Sequence, residues 1–124
     1  MFVSELKDRW DSDPSSFGIQ GADIERWCAR EGMTVEEVYD RLGAELARGY
    51  HEGRIDFTFG DLVANQMFAL GLTANNDAAF NGVFWQVYLA FDAGEYHRDP
   101  KHLDDPEQDH TRPLIAEIIA GLQS

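Results

Sequence analysis

Apolar residues recur along this chain at three- and four-residue intervals, and that rhythm predicts helices. Phe2, Leu6 and Trp10 lie four apart with Val3 beside them, so they share one face of a short amphipathic helix. The run Asp11-Ser12-Asp13-Pro14-Ser15-Ser16 breaks that face and predicts a turn. A second helix is expected from Ala22 through Ile24, Trp27 and Cys28, ending at Gly32, which adopts a left-handed C-cap at low cost. Thr34-Val35-Glu36-Glu37 spells a capping box, in which the Thr34 hydroxyl and the Glu37 carboxylate each satisfy the other's backbone N–H. The helix it starts carries Val35, Val38, Tyr39, Leu42, Leu46 and Tyr50 as a single apolar stripe.

His51-Glu52-Gly53 should end that helix. Ile55, Phe57 and Phe59 then alternate with polar residues, as in a strand, but no second segment alternates in the same way. An extended connection anchored by its aromatics is therefore expected, with the next helix beginning at Thr58 and burying Leu62, Val63, Met67 and Leu70. A turn is placed around Asn75 and Asn76. Phe80, Val83, Phe84, Val87, Tyr88 and Phe91 mark a fifth helix, widened by Trp85 and Leu89. Residues 92–112 are polar, contain Pro100 and Pro106, and read as a long loop. In the last helix Thr111 is the expected cap, Pro113 falls in the first turn, and Leu114, Ile115, Ile118, Ile119 and Leu122 form the stripe. The fold class is accordingly all-α: residues 1–124 make one domain, a bundle of five or six helices with a long acidic loop before the last. Its core is expected around Phe59, Leu62, Met67, Phe80, Phe84, Tyr88 and the final stripe.

Charge narrows the function. With 23 acidic against 10 basic residues the formal net charge is −13, which repels nucleic acid and anionic membranes and favours basic partners. The most apolar stretch, Ala78 to Ala90, is too short to span a bilayer and carries Asn81 and Gln86, so a membrane partner is not expected. The charged start Glu5-Leu6-Lys7-Asp8 does not suit a signal peptide, and the single Cys28 rules out an intramolecular disulfide. A cytoplasmic location is the expectation, with Cys28 as an inert thiol on an apolar face.

Three groups of residues could form a site. Asp92, Glu95, Asp99, Asp104, Asp105, Glu107 and Asp109 stand against only Arg98 and Lys101, which gives residues 92–110 a charge of −5. This stretch is the expected surface for a basic protein partner. It also holds His97, His102 and His110, and imidazole with carboxylate is metal-ligand chemistry, although their spacing matches no established metal motif. Third, Asn65, Gln66, Asn81 and Gln86 are polar residues on otherwise apolar helices and could line an interhelical ligand cleft.

No phosphate-binding loop, dinucleotide fingerprint, nucleophile elbow or kinase signature is present, and no cofactor is called for. Ile24 to Leu42 has the outline of a helix-turn-helix, but its second helix would offer Glu36, Glu37 and Asp40 to the bases, which argues for a plain helical hairpin. The leading expectation is a non-catalytic protein-interaction module. In size, charge and lack of catalytic motif it is similar to small bacterial immunity or antitoxin proteins that block a basic toxin. The alternative is a small metal-dependent or small-molecule enzyme using the His/Asp-rich loop or the cleft around Asn65. A third reading is a homo-oligomer with Trp10 or Trp85 at a symmetric interface.

Overall fold

The computed structural model describes residues 2–74 and 80–123; the turn expected at Asn75 and Asn76 lies outside them. The chain is an all-α bundle with six α-helices among the described residues: α1 (Phe2–Ser12), α2 (Gly21–Glu31), α3 (Val35–His51), α4 (Phe57–Thr73), α5 (Gly82–Asp92) and α6 (Arg112–Gln123). A short 3-10 turn, Pro14–Ser16, follows α1, and a π-helical turn, Glu107–Thr111, leads into α6. No described helix is long and apolar enough to cross a membrane.

The central helix is α3, which packs on each of the other five. Its start is the capping box read from the sequence, with Glu37 N–H donating to Thr34 Oγ1 (3.2 Å) and Thr34 N–H donating to Glu37 Oε1 (3.1 Å). Gly32 ends α2 in the left-handed conformation (φ 66°). Along α3 the buried positions Val38, Tyr39, Leu42, Leu46, Ala47 and Tyr50 are joined by Gly43 and Gly49, so two glycines stand where side chains would hold other elements away. Tyr39 is fully packed, its ring edge-on to Phe84 at 5.0 Å, and its hydroxyl donates to the Met67 carbonyl (2.7 Å). This bond ties α3 to α4 inside the core, and burial pushes the Tyr39 phenol up to about 12.

Trp27 of α2 is completely buried and stacks on Phe2 of α1 at 4.9 Å. Its indole N–H donates to Glu5 (3.2 Å), a carboxylate also held by Arg26 (2.6 Å), Arg9 (2.9 Å) and Arg30 (3.2 Å). The Arg26 hydrogen bond, followed by those of Trp27 and Arg30, overcomes partial burial and brings Glu5 down to about 2. Three of the chain's ten basic residues are thereby spent on fastening α1 to α2.

Several sequence expectations need correcting. The alternating Ile55, Phe57 and Phe59 are not all in an extended connection: Asp56 is the N-cap, its side chain accepting from Phe59 N–H (2.9 Å), so Phe57 and Phe59 already lie in the first turn of α4. Thr111 does not cap α6. It is buried and its hydroxyl donates to the Ala90 carbonyl (2.7 Å), while the chain turns helically from Glu107 onward. Pro113 supplies a physical reason for the wide turn before it. A proline inside a helix has no N–H and its ring presses on the carbonyl four residues back, and opening the preceding turn relieves both.

The core is also displaced from the expected one. Phe59, Met67 and Phe84 are fully buried, as are Ile115 of the final stripe and, beyond the residues expected at its centre, Phe2, Leu6, Trp27 and Phe91 from the apolar faces of their helices. Leu62 and Tyr88, however, are only half-buried, and Phe80 is 39% exposed. Both α4 and α5 are apolar nearly all round, so the sequence could not say which of their faces would point outward.

Candidate functional site

The outward seam between α4 and α5 brings together residues that are far apart in sequence. On α4, Asp61, Asn65, Phe68 and Leu72 follow helical spacing and make one stripe. The facing stripe of α5 and the residues after it supplies Trp85, Tyr88, Asp92 and Glu95, with Phe80 just before the helix. The helices run antiparallel here, so carboxylates gather at one end of the seam and aromatic rings at the other.

At the aromatic end Phe68 stacks on Tyr88 (ring centroids 4.3 Å apart, planes 18° from parallel), and Trp85 stacks on the same Tyr88 at 5.6 Å. Phe80 closes the cluster with contacts to Phe68 (5.3 Å) and Trp85 (5.6 Å). Its own exposure and that of Leu72 (55%) leave an apolar shelf facing solvent. Rings interlocked in this way are rigid, so a partner that covers them orders few side chains on this side.

At the polar end Asn65 Nδ2 donates to Glu95 Oε2 at 2.8 Å. Asp61 is half-buried against the same group, and its Oδ1 is buried without a hydrogen bond. Burial, then a hydrogen bond with Glu95, then the negative charges of Glu95 and Asp92 push the Asp61 carboxyl up to about 8. Asp61 is therefore held toward its protonated form at neutral pH, because ionising it would set a second negative charge against Glu95 in a partly buried site. Burial and the same three acids raise the Tyr88 phenol, which joins the two halves of the seam electrostatically.

A carboxyl whose pKa is raised by folding weighs on the folded state once pH passes its ordinary value of 3.8, and increasingly so up to about 8. Asp61→Asn should therefore stabilise the protein at pH 8 and have little effect at pH 4. Solvent screening of this half-buried group limits the gain to about 1–2 kcal/mol. Urea titrations of both proteins across this range check it; equal stability at pH 8 would show that Asp61 is not under strain.

The remaining predicted site residues are placed elsewhere. Most of the acidic stretch is fastened to itself or to the core. Asp99 accepts from Lys101 N–H (3.0 Å) and Asp105 from Gln108 N–H (3.2 Å). Asp104 takes Arg98 N–H (2.9 Å) and the His97 ring (3.0 Å), and these hydrogen bonds, the backbone one first, hold it at about 2. Glu107 accepts from the Tyr50 hydroxyl at 2.6 Å. Asp109 is exposed, and only Asp92 and Glu95 reach the seam. His97 and His102 stack in parallel at 4.4 Å, with His110 half-buried on the π-helical turn; among the described residues no three His, Cys, Asp or Glu side chains are grouped to hold a metal ion.

Nor do Asn65, Gln66, Asn81 and Gln86 line one cleft. Gln66 Oε1 accepts from Ile19 N–H (2.8 Å), Asn81 occupies the N-cap position of α5, and Gln86 lies on the flank of α5 that faces α6. Asn65 alone belongs to the seam. Cys28 is half-buried, and burial raises its thiol further from the reactive range. Trp10 and Trp85 are both half-buried. Helical spacing places Asp61 beside Asn65, but no local signal in the sequence shows that they meet Asp92 and Glu95.

No family model, no curated protein and no solved structure matches this chain.

Proposed function

We propose that this protein is a non-catalytic interaction module that docks a basic protein segment on the α4–α5 seam. The observation that carries the reading is the continuity of the two halves: a ring cluster of half-buried Phe68, Trp85 and Tyr88, edged by exposed Phe80, runs into the carboxyl group cluster of Asp61, Asp92 and Glu95. Interaction surfaces draw most of their affinity from a few aromatic anchors, while rim charges set partner choice and association rate. A segment with a lysine or arginine beside a large apolar residue satisfies both ends at once, and the chain's charge of −13 steers it in. The acidic stretch contributes through Asp92 and Glu95; Asp99, Asp104, Asp105 and Glu107 are engaged as turn caps and core contacts, and Asp109 lies away from the seam.

The test is a selection of binders from a random peptide library, followed by affinity measurements on variants. Asp92→Lys with Glu95→Lys should weaken the selected peptides at least tenfold, in keeping with about 1.4 kcal/mol per decade for two lost charge pairs. Phe80→Ala should weaken them comparably, and the peptides should be rich in Lys or Arg and bind less tightly as salt is added. Asp109→Lys serves as the control and should leave affinity nearly unchanged. Selected peptides that lack basic residues, or that ignore both seam substitutions, would refute the proposal.

A further inference from the structure

On the opposite side of α3, a recess of about 340 Å³ lies between α1, α3 and the turn before α4. That volume is at the small end of the range for ligand sites. In a chain with so few basic residues, three of them, Lys7, Arg48 and Arg54, line this one recess. Lys7 is engaged by Asp11 (2.6 Å) and Arg54 by Glu52 (3.1 Å). Arg48 is exposed and forms no ion pair or side-chain hydrogen bond among the described residues.

One turn earlier on α3, Glu45 lines the same recess. Its Oε1 accepts from Val3 N–H at 2.9 Å, which fixes the carboxylate toward α1. Its Oε2 is buried with no hydrogen bond and is paired only loosely, with Arg41 Nε at 3.7 Å. Residues three apart on a helix are neighbours and an opposite-charge pair there ordinarily closes. Glu45 and Arg48 do not pair with each other: the Val3 bond holds the acid, and the base is left over. A recess that sets a loosely paired carboxylate a helical turn from an exposed guanidinium suits a ligand that carries both a donor and an acceptor.

From this we infer that the recess binds a small zwitterion, a free α-amino acid with an apolar side chain. Its carboxylate meets Arg48, with Arg54 and Lys7 adding positive potential. Its ammonium donates to Glu45, toward which Asp8 adds negative potential. The side chain rests on Val3, Gly49 and Ile55, the apolar part of the lining. A simple dianion is disfavoured because Glu45 and Asp8 line the recess, and a simple cation because three bases do. The inference is independent of the α4–α5 seam.

Titration of the intact protein with L-leucine, followed by amide NMR shifts, tests it. Val3, Arg48, Gly49 and Ile55 should shift, and acetate, butylamine and inorganic phosphate should each bind at least tenfold more weakly, because each satisfies one charge only. Arg48→Ala removes a charge-assisted bond at an exposed position and should weaken leucine about tenfold, while leaving leucinamide, which has no carboxylate, unaffected. Glu45→Gln keeps an acceptor for Val3 and should weaken leucine and butylamine alike. No shift at these four residues up to roughly 10 mM leucine, where even weak sites begin to fill, would overturn the inference, as would phosphate binding more tightly than leucine.

Discussion

Gly43→Val is expected to destabilise the protein by about 3 kcal/mol or more, the upper part of the range for overpacking a core. A Cβ at Gly43 would lie 2.8 Å from Phe84 Cα and 3.0 Å from Phe84 N. Those are backbone atoms, so relief requires α5 to move away from α3 rather than a side chain to rotate. The movement would also part Tyr39 from Phe84. Gly43→Ala makes the same first clash but gains about 1 kcal/mol of helix propensity, so its loss should be smaller. Gly21→Ala, with nothing within 4 Å of the new Cβ, should be neutral or slightly stabilising. Urea unfolding followed by circular dichroism orders the three. Stability of the typical 5–15 kcal/mol leaves the valine variant close to failure, and a valine variant as stable as the parent would mean that α3 and α5 are not in backbone contact.

Gly43 also shows where the sequence stopped being readable. Caps and stripes are local, and they were legible: Thr34 with Glu37, Gly32, and the apolar face of α3 all stand where spacing placed them. Close approach of two helices depends on what lies across the interface, and a glycine inside a helical stripe carries no sign of its partner. The site was half legible for the same reason. Helical spacing puts Asp61 and Asn65 on one face of α4, whereas their meeting with Asp92 and Glu95 comes from the antiparallel packing of α4 on α5. An all-round apolar helix hides its outward face, so Phe80 and Tyr88 read as core although they form an exposed shelf and its floor. The acidic stretch misled in the other direction. Its composition suggested a free charged surface, and composition cannot show that Asp99, Asp104 and Asp105 are held by backbone N–H groups a few residues away.

Trp27→Ala should cost about 3–5 kcal/mol, the range for truncating a fully buried tryptophan, and its consequences extend beyond the cavity. The indole is both the surface on which Phe2 stacks and a donor to Glu5. Without it α1 loses an apolar anchor, and Glu5 keeps only its arginines. Trp27→Phe separates the two roles, since it restores most of the packing and not the donor, and should cost about 1–2 kcal/mol more than packing alone predicts. The pH dependence distinguishes these roles further. Glu5 falls from an ordinary 4.5 to about 2 through Arg26 first and Trp27 next, and Asp23 falls from 3.8 to about 2 through Arg9 first. Carboxyls made more acidic by folding contribute stability that is complete above their unfolded pKa and is lost as pH drops through the folded one. The parent protein should therefore weaken between roughly pH 5 and pH 2. Trp27→Phe, lacking one of the bonds that lower Glu5, should lose less over that interval, so the two stability curves converge in acid. Parallel curves would mean that the indole contributes packing alone and that the arginines by themselves set the acidity of Glu5.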